Sequence, residues 1–193
     1  MSLLYPTHTA TAQKSDGTVS AEAWFAASER VGYDPQARAI VAAQDAPLNV
    51  FLRREGDPAH AVSFLPGYPD GSFGWAKVLP HLPNAGEMPK LFVEYVGMGD
   101  SDKSKDYAYS TAECADLVET IWRDFSVQST TLVAFDFSSL VVLEHLRRRL
   151  ERAERGQHTG GSLIFENPMM EGPWRRVRRQ ARARERHRHR SGG

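Results

Sequence analysis

The stretch Thr130-Thr131-Leu132-Val133-Ala134-Phe135-Asp136-Phe137-Ser138-Ser139 constrains the fold more than any other. A β-favouring apolar run ends at Ala134-Phe135, and Leu140, Leu143, Leu146 and Leu150 then recur at helical spacing. Strand, tight corner and helix follow one another directly. One carboxylate, Asp136, stands at the corner, with small residues two places away on either side, Ala134 and Ser138. A sharp and somewhat strained corner needs such small flanks, and it lifts the side chain at its tip above the sheet. The same pattern also fits an ordinary β-α loop, where a carboxylate suits the positive end of the helix dipole.

Upstream the chain repeats this alternation. Leu48-Asn49-Val50-Phe51-Leu52, Ala61-Val62-Ser63-Phe64-Leu65 and Leu91-Phe92-Val93-Glu94-Tyr95-Val96 read as strands. The second is apolar at nearly every position, as expected when both faces are covered. It ends in Pro66-Gly67-Tyr68-Pro69-Asp70-Gly71-Ser72, and the third ends in Gly97-Met98-Gly99-Asp100-Ser101-Asp102. Short helices are expected over Ser20–Arg30 and Trp75–Leu82. Ser110 with Glu113 is a capping-box pattern that opens a helix carrying Val118, Ile121, Trp122 and Phe125 on one side. Ser162-Leu163-Ile164-Phe165 reads as a last short strand. The expected fold class is α/β: a doubly wound, mostly parallel sheet with helices on both faces. In such sheets ligands gather at the C-terminal strand edge, where the turns after Leu65, Val96 and Phe135 would meet.

The 193 residues suit one domain, and their net charge of zero conceals an asymmetry. From Glu171 onward there are nine arginines against two glutamates, so the end of the chain carries +7 and the rest −7. Residues 1–20 are expected to be a loose arm, 21–170 the core, and 171–193 a disordered basic tail. The single Cys114 excludes an internal disulfide, and no Cys/His cluster has zinc spacing. On the helix it is expected to occupy, Cys114 reads as buried and inert. Gly97 and Gly99 lack the third glycine of a dinucleotide loop, so no cofactor is expected. With neither a signal-peptide pattern at the start nor an apolar run of about 20 residues, a cytoplasmic setting without membrane contact is expected.

Three segments together resemble the α/β-hydrolase superfamily, and within it the aspartate-nucleophile branch of haloalkane dehalogenases and epoxide hydrolases. Phe64-Leu65-Pro66-Gly67-Tyr68-Pro69-Asp70-Gly71-Ser72-Phe73-Gly74-Trp75 is similar to the family's strand and His-Gly-x-Pro loop, which ends in an aromatic and a tryptophan. Gly97-Met98-Gly99-Asp100-Ser101-Asp102-Lys103 is similar to its Gly-x-Gly-x-Ser-Asp-Lys turn. Ala134-Phe135-Asp136-Phe137-Ser138 is similar to Gly-His-Asp-Trp-Gly at its nucleophile elbow. The resemblance covers roughly residues 45–168. It implies that Asp136 attacks an sp³ carbon of a small epoxide or alkyl halide and forms an aspartyl ester, which activated water then hydrolyses. It also implies an oxyanion and substrate-binding group made of Gly67, the backbone N–H groups of Tyr68 and Phe137, and Trp75. Glu166 would be the acid that orients a histidine.

The departures are informative. Pro66 stands where the family has histidine, and Ala134 and Ser138 replace the two elbow glycines. Phe137 replaces a tryptophan whose ring N–H holds halide in the dehalogenase pattern. The family's catalytic histidine follows a cap domain and the final strand, and the sequence ends before either is expected. His187 and His189 sit in the arginine-rich stretch, and His81 and His145 on expected helices, so none is expected to serve Asp136. Impaired turnover is therefore expected, together with self-association through an uncovered sheet edge. The arginine-rich tail has three readings: a basic arm for nucleic acid or acidic surfaces, a solvated helix, or text from a shifted reading frame in a GC-rich gene. The last is favoured, because apolar periodicity and resemblance stop together. The alternative function is that of a non-catalytic binding protein whose basic tail contacts nucleic acid or acidic surfaces. That alternative requires DNA affinity that falls steeply with salt and vanishes when residues 171–193 are deleted, measured by fluorescence anisotropy.

Overall fold

The computed structural model describes residues 19–157. The strand expected at 162–165, Glu166 and the basic tail lie outside the described residues, as do His8, His158, His187 and His189. The described elements are α1 (Ala21–Ala26), β1 (Glu29–Asp34), β2 (Ala39–Val41), β3 (Leu48–Glu55), β4 (Val62–Leu65), β5 (Lys90–Val93), α2 (Thr111–Asp124), β6 (Thr131–Ala134) and α3 (Ser138–Glu154). The strands make one sheet in the order β2-β1-β3-β5-β4-β6. β4 runs parallel to both of its neighbours, β5 and β6. β3 is antiparallel to β5 and to β1, and β1 is antiparallel to β2. The sheet is thus mixed, and its parallel part is where the three unusual turns sit.

Side-chain alternation along the central strands separates two kinds of apolar layer. Phe51, Phe64 and Phe92 face one side and pack with Trp24, Trp75 and Ala76. Val50, Leu52, Leu65, Leu91, Val93 and Leu132 face the other and meet Leu117, Val118 and Ile121 of α2 and Val141 and Val142 of α3. One layer is aromatic under α1 and short 3₁₀ turns; the other is aliphatic under two long helices. Each fully buried side chain of this size contributes about 1.5–3 kcal/mol. Trp24 is held in place by an edge-on contact with Phe92 at 4.9 Å, by the Arg53 guanidinium 4.2 Å from its ring, and by its indole N–H donating to Ser72 Oγ at 2.9 Å.

Several local expectations need correction. The helix expected over Ser20–Arg30 spans only Ala21–Ala26, capped by Ser20 Oγ accepting from Ala23 N–H at 3.1 Å. Glu29 and Arg30 belong instead to β1, which pairs on both sides. Neither β1 nor β2 was anticipated, because Glu29-Arg30-Val31-Gly32-Tyr33-Asp34 is charged at its ends and β2 has only three residues. Trp75–Leu82 is not an α-helix but lies in two 3₁₀ turns, Ser72–Lys77 and Leu79–His81. Pro80, near the start of the second, has no N–H to extend a helical ladder. On α3 the leucine stripe does not face the core. Val141, Val142 and His145 are buried there, while Leu140 and Leu150 are more than half exposed. The helix is rotated so that its ionic residues reach α2.

That ionic contact is extensive. Arg148 donates to Asp116 at 2.6 Å, Arg152 to Glu119 at 2.8 Å, and His145 Nδ1 lies 3.2 Å from Glu119. Burial alone would raise the pKa of Glu119, but the hydrogen bonds from His145 and Arg152 outweigh it and hold the carboxyl at about 2. A depressed carboxyl stabilises the fold above its unfolded pKa and stops doing so as pH falls through the folded one. The contribution of Glu119 is therefore full above about 4.5 and lost toward about 2. Glu119→Gln is expected to melt below the parent protein at neutral pH, and the gap is expected to narrow as pH falls through this window, as read by thermal denaturation.

Candidate active site

The site begins with the way β6 ends. After Ala134 the chain turns through Phe135 and Asp136, and α3 starts at Ser138. Asp136 has φ +53°, a left-handed conformation uncommon outside glycine. The turn is tight: Ser138 N–H donates to Phe135 O at 3.2 Å and Ser139 N–H to Asp136 O at 3.0 Å. The Asp136 side chain is left exposed at the tip.

The loop that follows β4 lies against this corner. Tyr68 N–H donates to Asp136 Oδ1 at 3.0 Å. Gly67 is required by the approach itself, since a Cβ there would lie 2.6 Å from the Phe135 ring and 3.1 Å from Asp136 Cβ. The backbone N–H of Phe137 and then that of Tyr68 hold the Asp136 carboxyl below the usual aspartate range. The carboxylate is therefore ionised near neutral pH, with Oδ1 anchored on Tyr68 N–H. Such a group can act as a nucleophile without a base, and backbone donors to its carboxyl can stabilise negative charge there.

Buried hydroxyls lock the two segments together. Ser138 Oγ donates to Pro66 O at 2.5 Å and pairs with Tyr95 OH at 2.8 Å. All of these atoms are out of water, so the small residue at position 138 is a hydrogen-bonding element as well as a small flank. The turn after β5 joins from the other side: a Cβ on Gly71 would lie 3.0 Å from Gly99 Cα. Asp136, Tyr68 and the Gly97–Asp102 turn thus meet at the C-terminal edge of β4, β5 and β6.

The other sequence candidates fall as follows. Phe137 is half-buried, its ring edge-on to Tyr95 at 6.1 Å. Trp75 is buried in the aromatic layer, in contact with Phe64 and Phe135, and its indole N–H has no partner among the described residues. Tyr68 projects into solvent, and Phe135, against neighbouring Gly67, is exposed as well. Cys114 is buried, and burial pushes its thiol up to about 12. His60 pairs with Ser129, His81 lies in an exposed turn, and His145 pairs with Glu119; among the described residues no histidine bonds Asp136. No group of three or more His, Cys, Asp or Glu able to hold a metal ion occurs among the described residues, and none of their helices is long and apolar enough to cross a membrane. Sequence reasoning overlooked Glu94, Tyr95 and Ser138 as structural polar groups. A carboxylate inside the run Leu91–Val96 was the available signal.

No protein-family profile matches the chain. It is 31% identical over 122 residues to "Putative hydrolase LipZ" of Mycobacterium tuberculosis, a match that covers 61% of this chain and 41% of that protein. It is 31% identical over 103 residues to a haloalkane dehalogenase of Sphingobium indicum, covering 51% of this chain and 33% of that one. Over the matched residues the chain is similar to these hydrolases. It spans about two fifths or less of the length of these curated relatives. Among solved structures, the haloalkane dehalogenase DatA from Agrobacterium tumefaciens C58 is similar at 22% identity and a TM-score of 0.49, over 65% of this chain and 38% of that one. In this chain the seam between corner and loop is closed by one hydroxyl. Ser138→Ala leaves Tyr95 OH and Pro66 O buried without their shared partner, and is expected to cost about 1–3 kcal/mol in a urea titration.

Proposed function

We propose that the corner is a nucleophile elbow and that Asp136 is the nucleophile of a hydrolase that opens small epoxides, or displaces halide from alkyl halides, through an aspartyl ester. The observation that carries this reading is the anchored carboxylate: Oδ1 accepts Tyr68 N–H at 3.0 Å on a residue held at φ +53°. Anchoring one oxygen leaves the other to attack an sp³ carbon from behind. The C–O bond of the epoxide breaks as the ester forms, and the alkoxide released takes a proton from solvent. When water later attacks the ester carbonyl, charge builds on the anchored oxygen, which accepts Tyr68 N–H, with Phe137 N–H the second backbone donor to this carboxyl. Ground and transition states differ in charge at that atom, so these donors favour the step.

Epoxides fit better than halides. An epoxide oxygen stays tethered to the product, whereas a leaving halide needs its own donors. Phe137 offers no ring N–H for that purpose. The second half-reaction needs a base, and His60, His81 and His145 are each placed elsewhere. Among the described residues none serves as that base, so residues 19–157 supply the first step and leave ester hydrolysis slow. Glu166, as the acid that orients a base, remains part of the same proposal.

Incubation with a terminal epoxide, and in parallel with a primary alkyl bromide, is expected to give a stable mass adduct that peptide mapping places on Asp136. The epoxide is expected to label faster, and Asp136→Asn to remove the adduct. Fast multiple turnover by the chain would contradict the slow second step, and labelling that survives Asp136→Asn would contradict the nucleophile.

A further inference from the structure

The loop that presents Tyr68 N–H is only as well placed as whatever holds its far end. Its near end is fixed at Pro66 by Ser138. Its far end, at Gly71-Ser72, meets a carboxylate that the proposed chemistry does not use. Glu94 follows β5 and is completely buried. Its Oε1 accepts Ser72 N–H at 2.6 Å and its Oε2 accepts Asp100 N–H at 2.6 Å. One side chain therefore bridges the Pro66–Ser72 loop and the Gly97–Asp102 turn.

Both approaches are paid for by glycine. A Cβ on Gly71 would lie 2.7 Å from Oε1, and a Cβ on Gly99 would lie 2.0 Å from Oε2, with Gly99 itself at φ +51°. Neither position tolerates a side chain while the carboxylate stays where it is. Burial raises the pKa of Glu94, and the N–H groups of Asp100 and Ser72 oppose that rise. A buried acid without a cationic partner among these contacts is an expensive way to fill space. An apolar residue would fill it at lower cost but could not accept two N–H groups.

We propose that Glu94 is a positioning residue for the active site: by bracing the Pro66–Ser72 loop against the Gly97–Asp102 turn, it holds Tyr68 N–H on the Asp136 carboxylate. This rests on the reading of Asp136 as the reacting group. Two neighbours on one strand end then hold two walls of the site, Glu94 the loop and Tyr95 the start of α3. Glutamine keeps the shape of Glu94 but turns one of its acceptors into a donor facing a backbone N–H, so one half of the brace must fail.

The test reads the position of the loop directly. The Asp136 carboxyl is held down by Phe137 and Tyr68 N–H, so its titration, followed by carbon NMR of the side-chain carboxyl, reports whether Tyr68 is in place. In Glu94→Gln the midpoint is expected to rise toward the ordinary aspartate value of about 3.9. Epoxide labelling of Asp136 is expected to slow by about tenfold or more. Should Glu94→Gln fail to fold, Gly71→Ala carries the same test, since its Cβ must push Glu94 or the loop aside. An unchanged Asp136 midpoint in a folded variant whose Ser72 and Asp100 amides have lost hydrogen-exchange protection would overturn the proposal. If the parent protein labels with no electrophile and the midpoint still rises, the nucleophile reading fails and the brace stands.

Discussion

β4 lies between two parallel neighbours, and the arrangement of the site follows from that placement. Parallel strands send their C-terminal ends to one edge. The loop after β4, the turn after β5 and the corner after β6 are therefore brought together without any of them being long. The antiparallel strands β1, β2 and β3 extend the sheet on the far side of β5, where they complete the two apolar layers but contribute no site residue. The candidate site and its support are divided across a single sheet at the β3–β5 boundary.

Polar groups inside the edge then do what apolar packing cannot. Apolar contacts favour compactness but do not fix a backbone N–H to within a few tenths of an ångström of an oxygen. Ser138 with Tyr95, and Glu94 with two amides, supply that directionality. Each costs desolvation, and each recovers it only if every partner is in place. The strained backbone at Asp136 is of the same kind: a local cost accepted because the surrounding structure determines it.

Much of this was legible in the sequence. The corner at Asp136 could be read because apolar periodicity changes there from strand to helix, and because Ala134 and Ser138 leave room for it. The capping of α2 by Ser110, whose Oγ accepts Glu113 N–H at 3.1 Å, follows from side-chain chemistry within four residues. What was not legible depended on partners distant in sequence. β1 is a strand because β2 and β3 flank it, not because Glu29–Asp34 favours one. The buried face of α3 could not be chosen between leucines and valines without knowing that Asp116 and Glu119 of α2 await its arginines. Glu94 is more instructive still, since a charge in an apolar run reads as a blemish until the two amides it accepts are seen.

The turn after β5 has one further property. β3 runs past the end of β5, and donors left there without a strand partner are taken up by side chains of that turn: Asn49 N–H donates to Asp102 Oδ2 at 2.7 Å, and Phe51 N–H to Ser101 Oγ at 2.8 Å. Side-chain oxygens thus continue the ladder where a strand has run out. A segment stitched to the sheet in this manner cannot swing away as a flap without unzipping several bonds at once. The wall that this turn forms beside Asp136 is therefore fixed by the sheet itself.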